Sequence, residues 1–240
     1  MQLKDWIIAE NENWVAVNKP SGLLSIPDRL GKEVSLKSLL KDKYGDIFTV
    51  HRIDKDTSGL IIFAKHEAAH KHLSKQFEDR QTRKIYQGLV IGSPALPKGS
   101  LDAPIAEHPA LNGTMIVHRK GKEALTDYEV LEDFGIYSLL QFRIHTGRTH
   151  QIRVHMKDLG HPVVCDPLYG DGKPVLVSSL KSKFKLSKSE EEERPILGRL
   201  ALHAFQLSFR DMDGHPVELE APLHKDMRAT LQQLAKRKKK

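Results

Sequence analysis

The segment His51-Arg-Ile-Asp-Lys-Asp-Thr-Ser-Gly59 constrains this chain most: it is the densest run of polar side chains, and it is set between two apolar, strand-like runs. The second of these runs, Gly59-Leu-Ile-Ile-Phe-Ala64, has the length and composition of a strand. A polar loop between two strands has to turn the chain, and Asp, Thr, Ser and Gly each favour turns for separate physical reasons. On local chemistry alone a well-made turn is the leading reading. Two features pull towards function. The loop is longer and more charged than a hairpin needs, and charged groups at strand ends are well placed to meet a ligand. It also sets Asp54 between Arg52, two residues before, and a second carboxylate, Asp56, two residues after.

The remaining pattern is mixed, and strands outnumber helices. Trp14-Val-Ala-Val17 reads as a short buried strand stopped by the turn formers Asn18-Lys-Pro-Ser-Gly22. Ser35 is suited to cap a helix with Leu36, Leu39, Leu40 and Tyr44 on one stripe and Gly45 at its end. A second helix is predicted over 67–80, with Ala69, Leu73, Gln76 and Phe77 facing inward. Strands are predicted at 85–91, 124–131, 136–145, 201–209 and 217–220, and helices at 149–159 and 227–234. Strands that adjoin one another in the second half favour an α+β fold, with a mixed, largely antiparallel sheet and flanking helices.

Composition narrows the class. At 240 residues with 39% hydrophobic content, the chain can bury a substantial core. A single domain over 1–235 is expected, with a surface insertion over 181–194, where Lys, Ser and Glu dominate, and a basic tail over 236–240. No apolar run approaches bilayer length, and the N-terminal apolar stretch is too short for a signal peptide. The lone Cys165 excludes an internal disulfide and a Cys-rich zinc site. These features lead us to expect a cytoplasmic protein with no membrane partner. The net charge of +7 invites a nucleic-acid reading, but removing the five basic tail residues lowers it to +2. A frayed, solvated tail and a phosphate-contacting one are then equally open. Clusters such as Arg80, Arg83 and Lys84, or His118, Arg119, Lys120 and Lys122, say more than the total.

The segment His51-Arg-Ile-Asp-Lys-Asp-Thr-Ser-Gly-Leu60 resembles the central motif of the RluA-type pseudouridine synthases, His-Arg-Leu-Asp-x-x-Thr-Ser-Gly-Leu/Val. Three further segments agree, in the family's order. Val17-Asn-Lys-Pro-Ser-Gly-Leu-Leu24 resembles the first motif, and Lys84-Ile-Tyr86 resembles the segment that bears an active-site tyrosine. His145-Thr-Gly-Arg-Thr-His-Gln-Ile-Arg-Val-His155 resembles the third motif. Leu159-Gly-His-Pro162 and Asp166-Pro-Leu-Tyr-Gly170 resemble the family's stretch on its C-terminal side. Agreement spans roughly 14–170 and weakens at Leu202-His-Ala204.

This resemblance implies the pseudouridine synthase catalytic fold around an RNA-binding cleft, and isomerisation of uridine in structured RNA, a stem-loop of large-subunit ribosomal RNA, tRNA or both. It makes Asp54 the catalytic carboxylate, acting either as a nucleophile or by removing a ribose proton. Arg153 is implied as the cation that keeps Asp54 ionised. Arg52 is implied to enter the RNA stack in place of the extruded nucleotide, and a flat guanidinium suits that task. Tyr86 is implied to stack on the flipped base and assist proton removal at C5. His51, Thr57, Leu60, Arg148, Ile152 and Lys19 complete the implied substrate and RNA contacts, Leu60 and Ile152 as apolar walls; Lys19 and His51 could equally hold the loops in place. No cofactor, metal or obligate protein partner is expected, and the chain is expected to be monomeric. Many relatives carry an N-terminal S4-type RNA-binding domain, for which the residues before the first motif leave no room.

Other classes fit less well. His51-Arg-Ile-Asp54 and Asp133-Phe-Gly135 echo two kinase motifs, but the first has an inserted Ile and no Gly-rich loop precedes it. Asp133-Phe-Gly135 reads as a hairpin turn. Thirteen histidines suggest a metal hydrolase, yet no His-Glu-x-x-His pair exists, and the five-residue spacing of His145, His150 and His155 splits helical faces. Asp54 and Asp56 sit too close in one loop to straddle a glycosidic bond as a hydrolase pair. The serious alternative is an RNA-binding or RNA-folding factor that keeps this fold without catalysis.

Overall fold

The apolar run after the polar loop becomes a strand buried along its whole length, Ser58–Ala64, because both of its faces are covered. In the computed structural model, which describes residues 2–28, 30–181, 184 and 192–238, the strands and helices succeed one another in chain order. These are β1 (Ile7–Glu10), β2 (Trp14–Lys19), α1 (Leu36–Tyr44), β3 (Phe48–Thr49), β4 (Ser58–Ala64), α2 (Glu67–Glu78) and β5 (Arg83–Ile91). Then come β6 (Lys98–Asp102), β7 (Ile105–Glu107), β8 (Met115–Val117), β9 (Leu125–Asp133), β10 (Tyr137–Ile144) and α3 (Gln151–Asp158). The one-turn α4 (Val177–Leu180), β11 (Leu202–Arg210), β12 (Pro216–Glu220) and α5 (Lys225–Lys238) complete the series. The fold is α+β, with helices flanking the sheet, and β4 and β11 form a parallel pair within a largely antiparallel arrangement.

The chain divides into two compact units. The first comprises 1–87, 143–149 and 202–222; the second comprises 88–142, 150–201 and 223–240. In the first unit β4 pairs antiparallel with β2, Val17 opposite Ile61 and Lys19 opposite Gly59. Alternation along β4 then sorts its side chains between two cores. Leu60, Ile62 and Ala64 pack with Ala69 and Leu73 of α2, while Ile61 and Phe63 pack with Leu36 and Leu40 of α1. Ser35 caps α1 as its sequence predicts, its hydroxyl accepting from the Ser38 N–H at 3.1 Å.

Gly59 is required where β4 meets β11. Its φ is +111°, and a Cβ there would lie 2.3 Å from the Ala204 carbonyl oxygen. At the same junction Ser58 Oγ lies 2.9 Å from His203 Nδ1, in a fully buried pair. In the second unit β6 pairs with β9, and β7 with β8. Ile105, Ala124, Val154 and Tyr169 form one of its buried clusters. Asp133-Phe-Gly135 is the turn between β9 and β10, where Asp133 accepts the Gly135 N–H at 2.7 Å.

Most predicted elements stand within a few residues of their predicted ends. β1, β3, β6, β7, β8 and α4 have no counterpart among the predicted elements; they are short, and β6 (Lys-Gly-Ser-Leu-Asp) carries almost no apolar alternation. The last helix runs to Lys238, so the first three residues of the basic tail continue it. Lys and Arg are good helix formers, and cations in a last turn oppose the negative helix end. Apart from Lys181, Phe184 and 192–194, the 181–194 segment lies outside the described residues. No helix among the described residues is long and apolar enough to cross a membrane.

Candidate active site

The loop before β4 is held at several points, and each hold explains where its polar side chains go. Ile53 drops into the core shared by β4 and α2, and this alternation leaves Arg52 exposed and Asp54 half-buried on either side of it. Ser25 locks Ile53 from both ends of its peptide, its Oγ donating to the Ile53 carbonyl at 2.7 Å and accepting its N–H at 3.3 Å. Lys19 is 0% exposed, and its ammonium donates to the carbonyls of Pro20, Leu23 and Lys55 at 2.7–3.0 Å. Ser21 Oγ donates to the Asp56 carbonyl at 2.6 Å, and the Gly22 N–H to that of Lys55 at 2.9 Å. The turn of the first motif is therefore clamped onto the polar loop by hydrogen bonds.

His51 anchors the other side. Its ring stacks on Phe77 with centroids 4.4 Å apart, and its Nε2 accepts the Ile62 N–H at 3.1 Å. An accepting Nε2 places the ring proton on Nδ1, so the imidazole is neutral. Burial, and secondarily the charge of Lys84, push its pKa down to about 3.

Two cavities open in the first unit and share Arg52, Gly147 and Arg148. One, of 280 Å³, is lined by Asp54 together with Ser25, Lys55 and Thr149. The other, of 400 Å³, is lined by Tyr86 together with His51, Phe77, Glu78, Arg80, Lys84 and His145. Cations outnumber carboxylates in both. Lys55, at the first, is paired with Glu33. The Tyr86 phenol is held well above its ordinary pKa, first by burial and then by the negative charge of Asp54. It therefore keeps its proton at neutral pH, offering a ring face and an O–H. The same interaction means that the Asp54 carboxylate and the phenol feel each other's field.

Several implied RNA contacts take other places. Lys19, Thr57 and Leu60 are enclosed, Thr57 and Leu60 at 2% exposure, and none of the three lines either cavity. Lys19 holds the loop by its three carbonyl contacts, and Leu60 packs in the core behind it. Arg148 lines both cavities, and His51 lines the second.

Arg153 and Ile152 belong to α3, in the second unit, and both are buried. Arg153 Nε and Nη2 donate to the two oxygens of Asp166 at 2.7 and 2.8 Å, with the Tyr169 ring 5.0 Å from its guanidinium carbon. Asp166, 0% exposed, also accepts the N–H groups of Leu168 and Tyr169. Tyr169 Oη in turn lies 2.8 Å from His150 Nδ1, and His150 begins α3 in a left-handed conformation with φ +55°. The Asp166-Pro-Leu-Tyr-Gly170 segment thus fixes the helix that carries Arg153. Arg80, Lys84 and His145 line the second cavity, and Asp166 holds Arg153 in the second unit; sequence reasoning assigns none of the four a role. Arg80 shows there only in a charge cluster, Lys84 in that cluster and in the tyrosine-bearing segment, and Asp166 and His145 only as parts of motifs. Among the described residues no group of three or more His, Cys, Asp or Glu could hold a metal ion.

The chain is similar to known proteins along most of its length. The chain is 39% identical over 92% of its length to an uncharacterised RNA pseudouridine synthase of Chloroflexus aurantiacus, covering 66% of that protein. It is 35% identical over 92% of its length to the ribosomal large subunit pseudouridine synthase D of Escherichia coli, covering 68% of it. It is 38% identical over 87% of its length to the dual-specificity RNA pseudouridine synthase RluA of Vibrio vulnificus, covering 79% of it. The chain spans about two thirds of the length of the first two. Among solved structures, human RNA pseudouridylate synthase domain containing 4 matches with a TM-score of 0.75 at 27% identity, over 97% of this chain and 94% of that one. The RNA pseudouridylate synthase pattern itself matches residues 13–158, which include the polar loop, Tyr86 and Arg153. With most of its length matched in sequence and in fold, the chain belongs to the RNA pseudouridylate synthase family.

Proposed function

We propose that this chain isomerises uridine to pseudouridine in RNA, with Asp54 as the catalytic carboxylate. The observation that carries the proposal is the pairing of Asp54 and Tyr86 on two cavities that share Arg52. In the reaction the N1–C1′ bond breaks, the uracil turns, and a C5–C1′ bond forms; the C5 proton leaves and N1 gains one. The target must leave the helix stack, because C1′, N1 and C5 of a stacked uridine are not jointly accessible. Arg52, exposed between the cavities, is suited to take the vacated place by stacking on neighbouring bases. Tyr86 receives the flipped base against its ring, and its neutral hydroxyl is available as a donor. Asp54 either attacks or removes a ribose proton. Arg148, which lines both cavities, contributes positive charge beside Asp54. Large-subunit ribosomal RNA is the proposed substrate, in keeping with the printed name of the Escherichia coli relative. The chain is proposed to act as a monomer in the cytoplasm.

Tritium release from large-subunit ribosomal RNA labelled at uridine C5 tests the reaction. Release by the wild type and none by Asp54→Asn, with RNA binding kept, is expected. Equal release by the variant removes Asp54 from its role. Release from tRNA alone moves the substrate. Binding without release from either RNA points to a non-catalytic RNA-binding factor.

A further inference from the structure

The end of α2 holds a conformation that its residue does not favour. Arg80 has φ +56° and closes the helix in a Schellman turn: the Gln81 N–H donates to the Gln76 carbonyl at 2.8 Å, and the Arg80 N–H to that of Phe77 at 3.3 Å. Such a position ordinarily takes glycine, since a Cβ clashes with the backbone in the left-handed region. The same chain uses glycine at the comparable end of α3, where Gly160 has φ +87°, its N–H donates to the Lys157 carbonyl at 3.0 Å and the His161 N–H donates to that of Met156 at 2.8 Å. Glycine would form this turn more easily, so the side chain of Arg80 needs a reason to be there.

Its surroundings supply one. Arg80 lines the 400 Å³ cavity beside Tyr86, together with Lys84, Arg52 and Arg148. Glu78 is the carboxylate among the lining residues, so positive charge prevails. Lys84 precedes Tyr86 by two residues on β5, and its ammonium is held below its ordinary pKa by burial and then by the charge of Arg80. Cations grouped in a partly desolvated wall raise the local positive potential, which favours an anionic ligand there. The cavity volume is of the size that takes a nucleotide-sized ligand.

We infer that Arg80 and Lys84 form a phosphate clamp that grips the RNA backbone beside the nucleotide received by Tyr86, an inference that rests on the reaction proposed above. Arg80 is then a positioning residue whose backbone strain is retained for the sake of its side chain. A guanidinium suits the role because it can hold two phosphate oxygens at once, while Lys84 adds a point charge. Neither group touches the reacting atoms; both act on where the strand lies.

Arg80→Gly separates strain from function, because the substitution suits the fold and removes the clamp. The variant is expected to melt about 2 °C or more above the wild type. On C5-tritiated large-subunit ribosomal RNA its KM should rise about 5- to 10-fold with kcat within about 2-fold. The slope of log affinity against log salt should become shallower by about one. Lys84→Gln should weaken binding in the same direction, and Arg80→Lys should recover part of it. Unchanged KM and salt slope in Arg80→Gly overturn the clamp, and so does a loss confined to kcat. Failure of the underlying reaction looks different: the wild type then releases no tritium, while the salt slope of RNA binding still reports on the clamp.

Discussion

Asp54 and Asp166 are both aspartates within the family's motifs, and the structure treats them in opposite ways. Asp54 sits half-buried in a loop of the first unit, at the wall of a cavity. Asp166 is fully enclosed in the second, with both oxygens on Arg153 and two backbone N–H groups donating to it. A carboxylate whose oxygens are filled by fixed donors inside the protein is committed to structure. Asp54 instead lines a cavity together with Arg52 and Arg148. The loop around Asp54 uses its own neighbours, Lys19, Ser21, Ser25 and His51, to hold backbone, and leaves Arg52 and Asp54 at the cavity.

The contrast can be broken most directly by substituting each aspartate in turn. Asp54→Asn should cut tritium release on the order of 10³-fold or more, while the melting temperature stays close to that of the wild type. Asp166→Asn should do the reverse in kind. It leaves the Arg153 guanidinium buried without its charge partner, which costs about 3–5 kcal/mol and lowers Tm on the order of 10 °C. If Asp166→Asn melts normally, or Asp54→Asn unfolds, the division of labour fails.

His51 sharpens the comparison through pH. Its folded pKa, about 3, lies below the ordinary value of 6.5. The unfolded chain therefore binds a proton that the folded chain refuses. This contribution to stability is complete above about pH 6.5 and is lost as pH falls towards 3. His51→Gln can still accept the Ile62 N–H without titrating. Urea unfolding from pH 7 to 4 should show the wild type losing about 2 kcal/mol more than the variant by pH 5. Parallel curves would mean that the imidazole is not held neutral in the fold.

A smaller effect separates the two functions of the tyrosine. Tyr86→Phe keeps the ring and removes the hydroxyl, so RNA affinity should stay within about 3-fold. The single-turnover rate should fall by about 10-fold or more, the usual scale for a group that assists proton movement. An unchanged rate would leave Tyr86 as a stacking platform alone.

Much of this site is legible in order along the chain. The turn formers at Asn18-Lys-Pro-Ser-Gly22, the polar loop before an apolar strand, and the helix with Leu73 and Gln76 facing inward all come from local pattern, and all stand where expected. Other features are not legible, because nothing local encodes them. β6, β7 and β8 owe their existence to partners across the sheet, and Lys98-Gly-Ser-Leu-Asp102 shows no strand period of its own. In sequence Lys19 is equally an RNA contact or a loop anchor, and three carbonyls around its ammonium show it anchoring the loop. Thr57 and Leu60 are implied as substrate contacts by the motif, yet Thr57 immediately precedes, and Leu60 lies within, a strand that is buried along its whole length.

By itself, the sequence determined the family, the identity of the candidate carboxylate and tyrosine, and the type of most elements, because motif order and apolar period are properties of the chain. Only the tertiary structure decided which charges are committed to the scaffold and which stand at a cavity. That depends on carbonyls and carboxylates brought together from distant segments: Lys55 onto Lys19, Asp166 onto Arg153, and Ile62 onto His51. A buried charge must find such partners or remain costly. The polar loop that constrained the fold at the outset is, for the same reason, half scaffold and half candidate active site.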